Sequence, residues 1–160
     1  MQGRVARVHA KPRTPGEHGL PKQAVPEARV TLHGVEGDHN NWREAKKAGD
    51  PVYGLLLMTS EALAAIRADG WPVQPGDIGE NLLIEGVPYD AMQPGTRWRA
   101  GEIEVEITKV CEPCSNLYAL PYVGDAGGPA FLKAMLGRRG WYARVLRPGT
   151  VRPGDAFARA

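Results

Sequence analysis

Residues 95–117 read GTRWRAGEIEVEITKVCEPCSNL and contain the clearest strand pattern in the chain. Ile103, Val105 and Ile107 alternate with polar residues, which is typical of an antiparallel strand with one buried face. Ala100-Gly101 is suited to a two-residue turn, so the residues before it are predicted to pair with this strand as a hairpin. Because the alternation slips by one residue after Ile107, a β-bulge is expected directly before the cysteines.

The rest of the chain is rich in turn signals and short strand patterns. Pro-Gly pairs occur five times, and each can form a tight turn between short strands. Further strands are predicted over residues 3–11, 28–35, 52–58, from 81 onward, 140–147 and 149–158. Helices are predicted over 59–70, with a Ser or Thr N-cap, and over 129–136, with Pro129 at the first position. Many turns and few long helical patterns favour a mainly β architecture.

The composition is that of an ordinary globular domain. With 160 residues, 24% charged and 42% hydrophobic, the chain is predicted to form a single domain over 1–160 that buries about 70% of its unfolded surface. The net charge of +2 and the scattered Lys and Arg argue against binding to nucleic acid or to a membrane. The N-terminus lacks the apolar core of a signal peptide, and no apolar run could span a bilayer, so a cytoplasmic location is expected.

The segment Cys111-Glu112-Pro113-Cys114 carries the strongest chemical signal, and its pattern alone leaves four interpretations open. A zinc site would need two more ligands, and the four histidines are distant and irregularly spaced. A thioredoxin-like redox pair would normally lie in a βαβ setting, which is missing here. A single reactive or metal-binding thiolate is the third interpretation, and a pair of small core hydrophobes is the fourth.

The thiolate interpretation requires positive charge near the sulfur. Lys109 is close in sequence, and several arginines are expected to converge on the same end of a barrel. These are Arg97, Arg99, Arg138, Arg139 and Arg144.

Four motifs occur in order between about residues 20 and 157. They are Gly34-Val-Glu-Gly-Asp38, Pro75-Gly-Asp-Ile-Gly-Glu-Asn-Leu82, the strand GEIEVEIT from Gly101 followed by Pro113-Cys114, and Gly137-Arg-Arg-Gly-Trp-Tyr-Ala-Arg-Val-Leu146 with Gly149 and Gly154-Asp155. Together they resemble the MOSC domain, the family named for the C-terminal domain of molybdenum-cofactor sulfurases. The combination of G-E-N with P-C is far more specific than C-x-x-C alone.

The resemblance implies a MOSC-type β-barrel with a few short peripheral helices. It also implies that Cys114 is the functional cysteine, either as a sulfur carrier in persulfide form or as a ligand of molybdenum in a bound molybdopterin cofactor. The basic residues of the site would face the pterin phosphate. By position in the motifs, the residues implied to line the site are Lys22, Asp38, Glu80, Asn81, Arg139 and Arg144.

The resemblance leads to three expected functions. The first is a molybdenum-cofactor-binding or sulfur-carrier protein in which Cys114 delivers sulfur to a metal–sulfur centre. The second is a molybdenum-dependent reductase component for N-hydroxylated compounds. The third is a non-enzymatic binding module with a structural cysteine pair. Cys111 is a candidate redox partner of Cys114, with a disulfide between them as the resting state.

The expected partners follow from modules that larger relatives carry. The chain lacks the pyridoxal-phosphate desulfurase domain of the full-length sulfurases, and it lacks any iron–sulfur or flavin module. A pyridoxal-phosphate-dependent cysteine desulfurase is therefore the expected partner of a sulfur carrier, and electron-transfer proteins are the expected partners of a reductase component. A small-molecule ligand is expected in either case.

Overall fold

A computed structural model describes residues 1–160, apart from the side chains of residues 41 and 42. The strands are β1 (Gln2–Ala10), β2 (Gln23–Ala24), β3 (Ala28–Thr31), β4 (Gly34–Val35), β5 (Leu55–Thr59), β6 (Leu82–Glu85), β7 (Arg97–Ala100), β8 (Ile103–Val110), β9 (Trp141–Arg147), β10 (Gly149–Val151) and β11 (Ala156–Arg159). The helices are α1 (Asn41–Lys46), α2 (Ser60–Ala68) and α3 (Gly124–Met135).

Seven of the strands form a closed barrel. Their order is β1-β11-β7-β8-β9-β5-β6, and β6 pairs with β1 to complete the circle. The pairings are antiparallel except for that between β5 and β6. Outside the barrel, β2 pairs with the end of β1, and β10, β3 and β4 form a small sheet. The prediction of a mainly β barrel with a few short helices is therefore confirmed.

The hairpin β7–β8 fills the barrel interior as its alternation predicts. The side chains of Ile103, Val105 and Ile107 are fully buried in the main apolar cluster. Trp98 of β7 stacks on Phe157 of β11, with ring centroids 4.9 Å apart. The register between β8 and β9 shifts after Ile107, which is the predicted bulge. The barrel is thus closed around large side chains contributed by distant parts of the chain.

The two longer helices cover the outside of the barrel. Helix α2 begins as predicted, because the hydroxyl of Thr59 accepts the N–H of Ala62 at 3.1 Å. The predicted start of α3 is wrong, since this helix begins at Gly124 and contains Pro129 in its interior. The ring of Tyr118 packs directly on Gly128, where an added Cβ would lie 2.3 Å from the ring. This contact leaves no room for a side chain at position 128.

Three predicted strands have different limits in the structure. The strand predicted over 28–35 is the hairpin β3–β4, because Gly34 adopts a φ of 116° against the carbonyl of Gly54. The strand predicted over 149–158 divides into β10, which pairs with β3, and β11, which returns to the barrel. The strand predicted over 52–58 begins only at Leu55, since Pro51–Tyr53 form a 3₁₀ turn capped by Asp50.

The helices can also be compared with the thickness of a bilayer. Within the part of the chain that the structure describes, no helix is both long and apolar enough to cross a membrane.

Phe157→Ala is expected to lower the free energy of unfolding by about 3–5 kcal/mol. The substitution leaves a cavity against Trp98, where β11 joins β1 to β7. Urea unfolding followed by tryptophan fluorescence measures the change. Phe157→Leu retains most of the volume and is the matched control, with less than half of the loss expected. A loss below about 1 kcal/mol for Phe157→Ala would show that the stack does not hold the barrel closed.

Candidate functional site

The site lies where β8 ends and β9 begins. These two strands are antiparallel neighbours, with Val110 opposite Trp141. The N–H of Cys111 donates to the carbonyl oxygen of Gly140 at 2.8 Å, which extends the pairing by one step. The segment that leaves β8 and the segment that enters β9 therefore run side by side at one edge of the barrel.

Cys114 and Arg139 meet at this edge, although 25 positions separate them in the sequence. Nη1 of Arg139 donates to Sγ of Cys114 at 3.1 Å and to the carbonyl oxygen of Glu112 at 3.3 Å. Nη2 donates to the carbonyl oxygen of Ile78 at 3.4 Å. The arginine is only 6% exposed, and its Nε has no hydrogen-bond partner among the described residues. A buried guanidinium held in this way is suited to stabilise an anion at the sulfur.

A pocket of about 280 Å³ opens beside Cys114. One wall is aromatic, because the rings of Tyr53 and Tyr142 meet edge to face with centroids 4.8 Å apart. Arg139 and Gly79 also line the pocket. The other polar lining residues are His18, Lys22, His39, Asn40, Lys109, Glu112 and Asn116.

Lys22 belongs to a buried network that supports the opposite wall. Its Nζ lies 2.5 Å from Oδ2 of Asp38, and both side chains are 2% exposed. Nδ2 of Asn81 donates to the same Oδ2 at 2.8 Å and to the carbonyl oxygen of His9 at 3.3 Å. Oδ1 of Asn81 accepts the N–H of Leu56 at 3.1 Å. Asn81 thus joins β1 to β5 and fixes the carboxylate that holds Lys22, so Asp38 and Asn81 act behind the pocket surface.

Glu80 lies deeper, where it is 0% exposed. Its Oε1 accepts the N–H of Gly76, and Oε2 has no partner among the described residues. Burial raises the pKa of Glu80 to about 8, against the opposing effect of the Gly76 hydrogen bond. Nδ1 of His9 is 3.8 Å from Oε1, and burial lowers the pKa of this imidazole to about 4. At neutral pH the carboxyl therefore carries a proton and the imidazole is uncharged.

The predicted arginines are distributed over separate surfaces. Arg144 lies on β9, 41% exposed and 3.8 Å from the carboxylate of Glu106, so it does not line the pocket. Arg97 and Arg99 face glutamates on β8, and Arg138 pairs with Asp69. Of the five arginines, the structure brings Arg139 to the sulfur.

The two cysteines have different surroundings. Cys111 is fully buried in an apolar cluster with Tyr53, Leu56 and Tyr142. Burial raises the pKa of its thiol, although the guanidinium of Arg139 opposes the effect. Cys114 is half-buried on the pocket wall, and both residues are free thiols. The role of Cys111 as a redox partner stays a prediction.

Several lining residues were not found by sequence reasoning. His18 belongs to the loop before Lys22, and the N–H of Leu20 donates to its Nδ1 at 3.3 Å. His39, Tyr53 and Tyr142 also line the pocket. Two of these residues carried a sequence signal: Tyr142 lies within the last motif, which contains Arg139, and His39 directly follows the motif that ends at Asp38. Among the described residues, no group of three His, Cys, Asp or Glu side chains is placed to hold a metal ion.

The fold and the pocket define a β-barrel protein whose pocket is lined by a cysteine next to a buried arginine. The model of the MOSC domain family matches residues 44–158, and the chain therefore belongs to this family. It is 30% identical over 130 residues to the protein YiiM of Escherichia coli. That alignment covers 78% of this chain and 55% of YiiM, so the chain spans little more than half the length of this relative.

Solved structures show the same fold. The YuaD protein of Bacillus subtilis superposes with a TM-score of 0.78 at 18% identity, covering 98% of this chain and 94% of YuaD. YiiM of Geobacillus stearothermophilus gives a TM-score of 0.73 at 23% identity, covering 99% of this chain and 75% of that one. YiiM of E. coli gives 0.68 at 22% identity, covering 100% and 70%.

The buried carboxyl of Glu80 predicts a pH-dependent stability. The pKa of Glu80 is about 8 in the folded state, against an ordinary value of 4.5. Between these two pH values Glu80 is protonated in the folded state and ionised in the unfolded state, so the free energy of unfolding falls as pH rises. His9 acts in the opposite sense between about pH 4 and its ordinary 6.5. A net decrease in the free energy of unfolding is therefore expected from pH 6.5 to 8, at roughly 1.4 kcal/mol per pH unit.

Urea unfolding of wild type and Glu80→Gln at both pH values tests this expectation. In Glu80→Gln the free energy of unfolding should no longer fall between these pH values. In Glu104→Gln, a change on the outside of β8, it should fall as in wild type. An identical decline in wild type and Glu80→Gln would contradict the assignment of the proton to Glu80.

Proposed function

We propose that the chain binds a molybdenum-bearing pterin cofactor in the pocket beside Cys114, and that Cys114 supplies a sulfur ligand to the metal. The observation that carries the proposal is the 3.1 Å contact between Nη1 of buried Arg139 and Sγ of Cys114 on the pocket wall. The MOSC domain family, to which the chain belongs, is associated with binding of this cofactor.

The residues of the pocket fit such a group in their chemistry. A thiolate is a soft ligand and suits molybdenum better than a carboxylate or an imidazole does. The cofactor carries an anionic phosphate, and Arg139 offers positive charge at the pocket wall. Nε of Arg139 has no hydrogen-bond partner within the described part of the chain. When bound, molybdenum would supply two-electron redox chemistry at this centre.

The chain's own residues then have distinct tasks. Arg139 stabilises the anionic sulfur, and the carbonyl groups of Glu112 and Ile78 keep its guanidinium plane in position. Asp38 keeps the ammonium of Lys22 charged and oriented at the pocket wall. The aromatic wall of Tyr53 and Tyr142 limits the access of water on the side towards β9.

A second function, as a sulfur carrier, is favoured by the accessibility of Cys114 on the pocket wall. In that reaction the Cys114 thiolate attacks the outer sulfur of a persulfide on a pyridoxal-phosphate-dependent cysteine desulfurase. The new S–S bond forms on Cys114, the bond to the donor cysteine breaks, and the donor leaves as a thiolate. No net oxidation or reduction takes place. Arg139 would stabilise the resulting persulfide anion.

Cofactor binding predicts that the wild-type chain, purified from a host that makes molybdenum cofactor, retains molybdenum and pterin. Cys114→Ser should lower the molybdenum content at least about tenfold, because a hard hydroxyl replaces the soft ligand. Cys111→Ala is the matched control and should retain the metal, since Cys111 lies in an apolar cluster. Elemental analysis and pterin fluorescence measure both. Equal metal content in Cys114→Ser and wild type, or none in wild type, would contradict the proposal.

The carrier function predicts that incubation with a cysteine desulfurase and cysteine adds one sulfur atom to the chain. Intact-mass analysis should show this adduct on wild type and on Cys111→Ala, and it should be absent from Cys114→Ser, which lacks the nucleophile. An adduct of equal yield on Cys114→Ser would exclude Cys114 as the carrier.

A further inference from the structure

Two lysines lie over the ring of Tyr53, which lines the pocket. Lys109 lines the pocket as well, whereas Lys47 lies outside its lining. Tyr53, Lys109 and Lys47 are together called the rim. Nζ of Lys109 lies 5.6 Å from the centroid of this ring, and Nζ of Lys47 lies 6.0 Å from it. Both residues are exposed. Among the described residues, no carboxylate lies within 4.0 Å of either ammonium group. The ring therefore holds two positive charges near the entrance, and neither is neutralised by an acid.

The bulge in β8 is what turns Lys109 towards the rim. Ile103, Val105 and Ile107 point into the barrel, and a regular strand would send residue 109 inward as well. The register shift between Ile107 and Lys109 places the lysine opposite Tyr142 and exposed to solvent. A lysine inside the apolar barrel would be very costly, so the bulge and this rim position are linked.

The charge balance of the pocket favours an anion. The ammonium of Lys22 is neutralised by Asp38. Glu112 is the only carboxylate among the described residues that line the pocket. Against this carboxylate and the Cys114 thiolate stand three positive charges, those of Arg139 and of the two rim lysines. Arg139 is 6% exposed and its Nε has no partner among the described residues, so a positively charged group lies beside Cys114 as well as at the rim.

We propose that Lys47, Lys109 and Tyr53 form an anion-recruiting subsite at the rim. It guides a small molecule that carries a carboxylate or phosphate group into the pocket, towards Cys114. This inference goes beyond the proposed function, because it concerns a second ligand and does not depend on the presence of molybdenum. The anion belongs to this separate small molecule and not to the pterin cofactor.

Two alkylating reagents of nearly equal size provide the test. Iodoacetate is anionic and iodoacetamide is neutral, and both attach to a thiolate with loss of iodide. The rates of modification at Cys114 are measured by peptide mass mapping on the full chain from a host that makes no molybdenum cofactor, so that the thiol carries no metal. The ratio of the iodoacetate rate to the iodoacetamide rate reports the recruitment of anions. The double variant Lys47→Gln/Lys109→Gln should lower this ratio at least about threefold at low ionic strength.

The neutral reagent and a third lysine are the controls. The iodoacetamide rate should be unchanged in the double variant, which shows that Cys114 and its surroundings are intact. Lys133→Gln, an exposed change on α3, should leave the ratio at the wild-type value. A ratio that is equal in wild type and the double variant would overturn the proposal, and so would an equal fall in Lys133→Gln.

The molybdenum and pterin content of the double variant separates the two sources of the anion. An unchanged content is expected if the rim serves a separate small molecule. Loss of pterin together with the fall in the alkylation ratio would overturn this assignment, because the rim would then hold the cofactor itself. If the wild type proves to contain no cofactor, the proposed function fails, while the alkylation ratio still decides whether the rim recruits anions.

Discussion

The antiparallel pairing of β8 with β9 is the constraint on which the site depends. It brings the residues after Val110 and the residues before Trp141 to the same edge of the barrel. Cys114 therefore meets Arg139 because the backbone register of two central strands brings the segments that follow β8 and precede β9 together. Both strands are held by the buried interior of the barrel. A site built on such strands is well suited to hold a ligand in one orientation.

The opposite side of the pocket is supported by buried polar groups. Asn81 connects β1, β5 and Asp38, and Asp38 in turn holds Lys22. A buried ion pair of this kind adds little stability by itself, but removal of one partner leaves an uncompensated charge. Its clearest effect here is to fix an ammonium group at the pocket wall. Glu80 and Asn81 of the G-E-N motif thus lie behind the pocket wall, where Asn81 links neighbouring segments and Glu80 is a protonated carboxyl.

The sequence predicted those parts of the structure that local periodicity and turn chemistry determine. The alternation of apolar and polar residues at 103–107 predicted a half-buried strand, and the one-residue shift of this alternation after Ile107 predicted the bulge. Thr59 predicted the start of α2. The division of 28–35 into two strands depends on the contact between Gly34 and the backbone of Gly54, and the packing of Tyr118 on α3 requires a glycine at position 128. Neither contact is encoded by a local pattern, so neither could be predicted from neighbouring residues.

The site was only partly predictable, because several of its contacts also depend on tertiary structure. The motifs identified Cys114 and selected Arg139 and Arg144 from the five arginines that met the requirement for nearby charge. Only the register of β9 distinguishes Arg139, which precedes the strand and turns to the sulfur, from Arg144, which lies along the outer face near Glu106. His18 and Tyr53 reach the pocket by tertiary folding alone. The central proposal is that the pocket lined by Cys114 and Arg139 holds the metal of the cofactor. Crystals of the chain from a cofactor-producing host, measured at the molybdenum absorption edge, test it most directly. The account predicts one anomalous peak beside Sγ of Cys114, and a peak outside this pocket, or none, would contradict it.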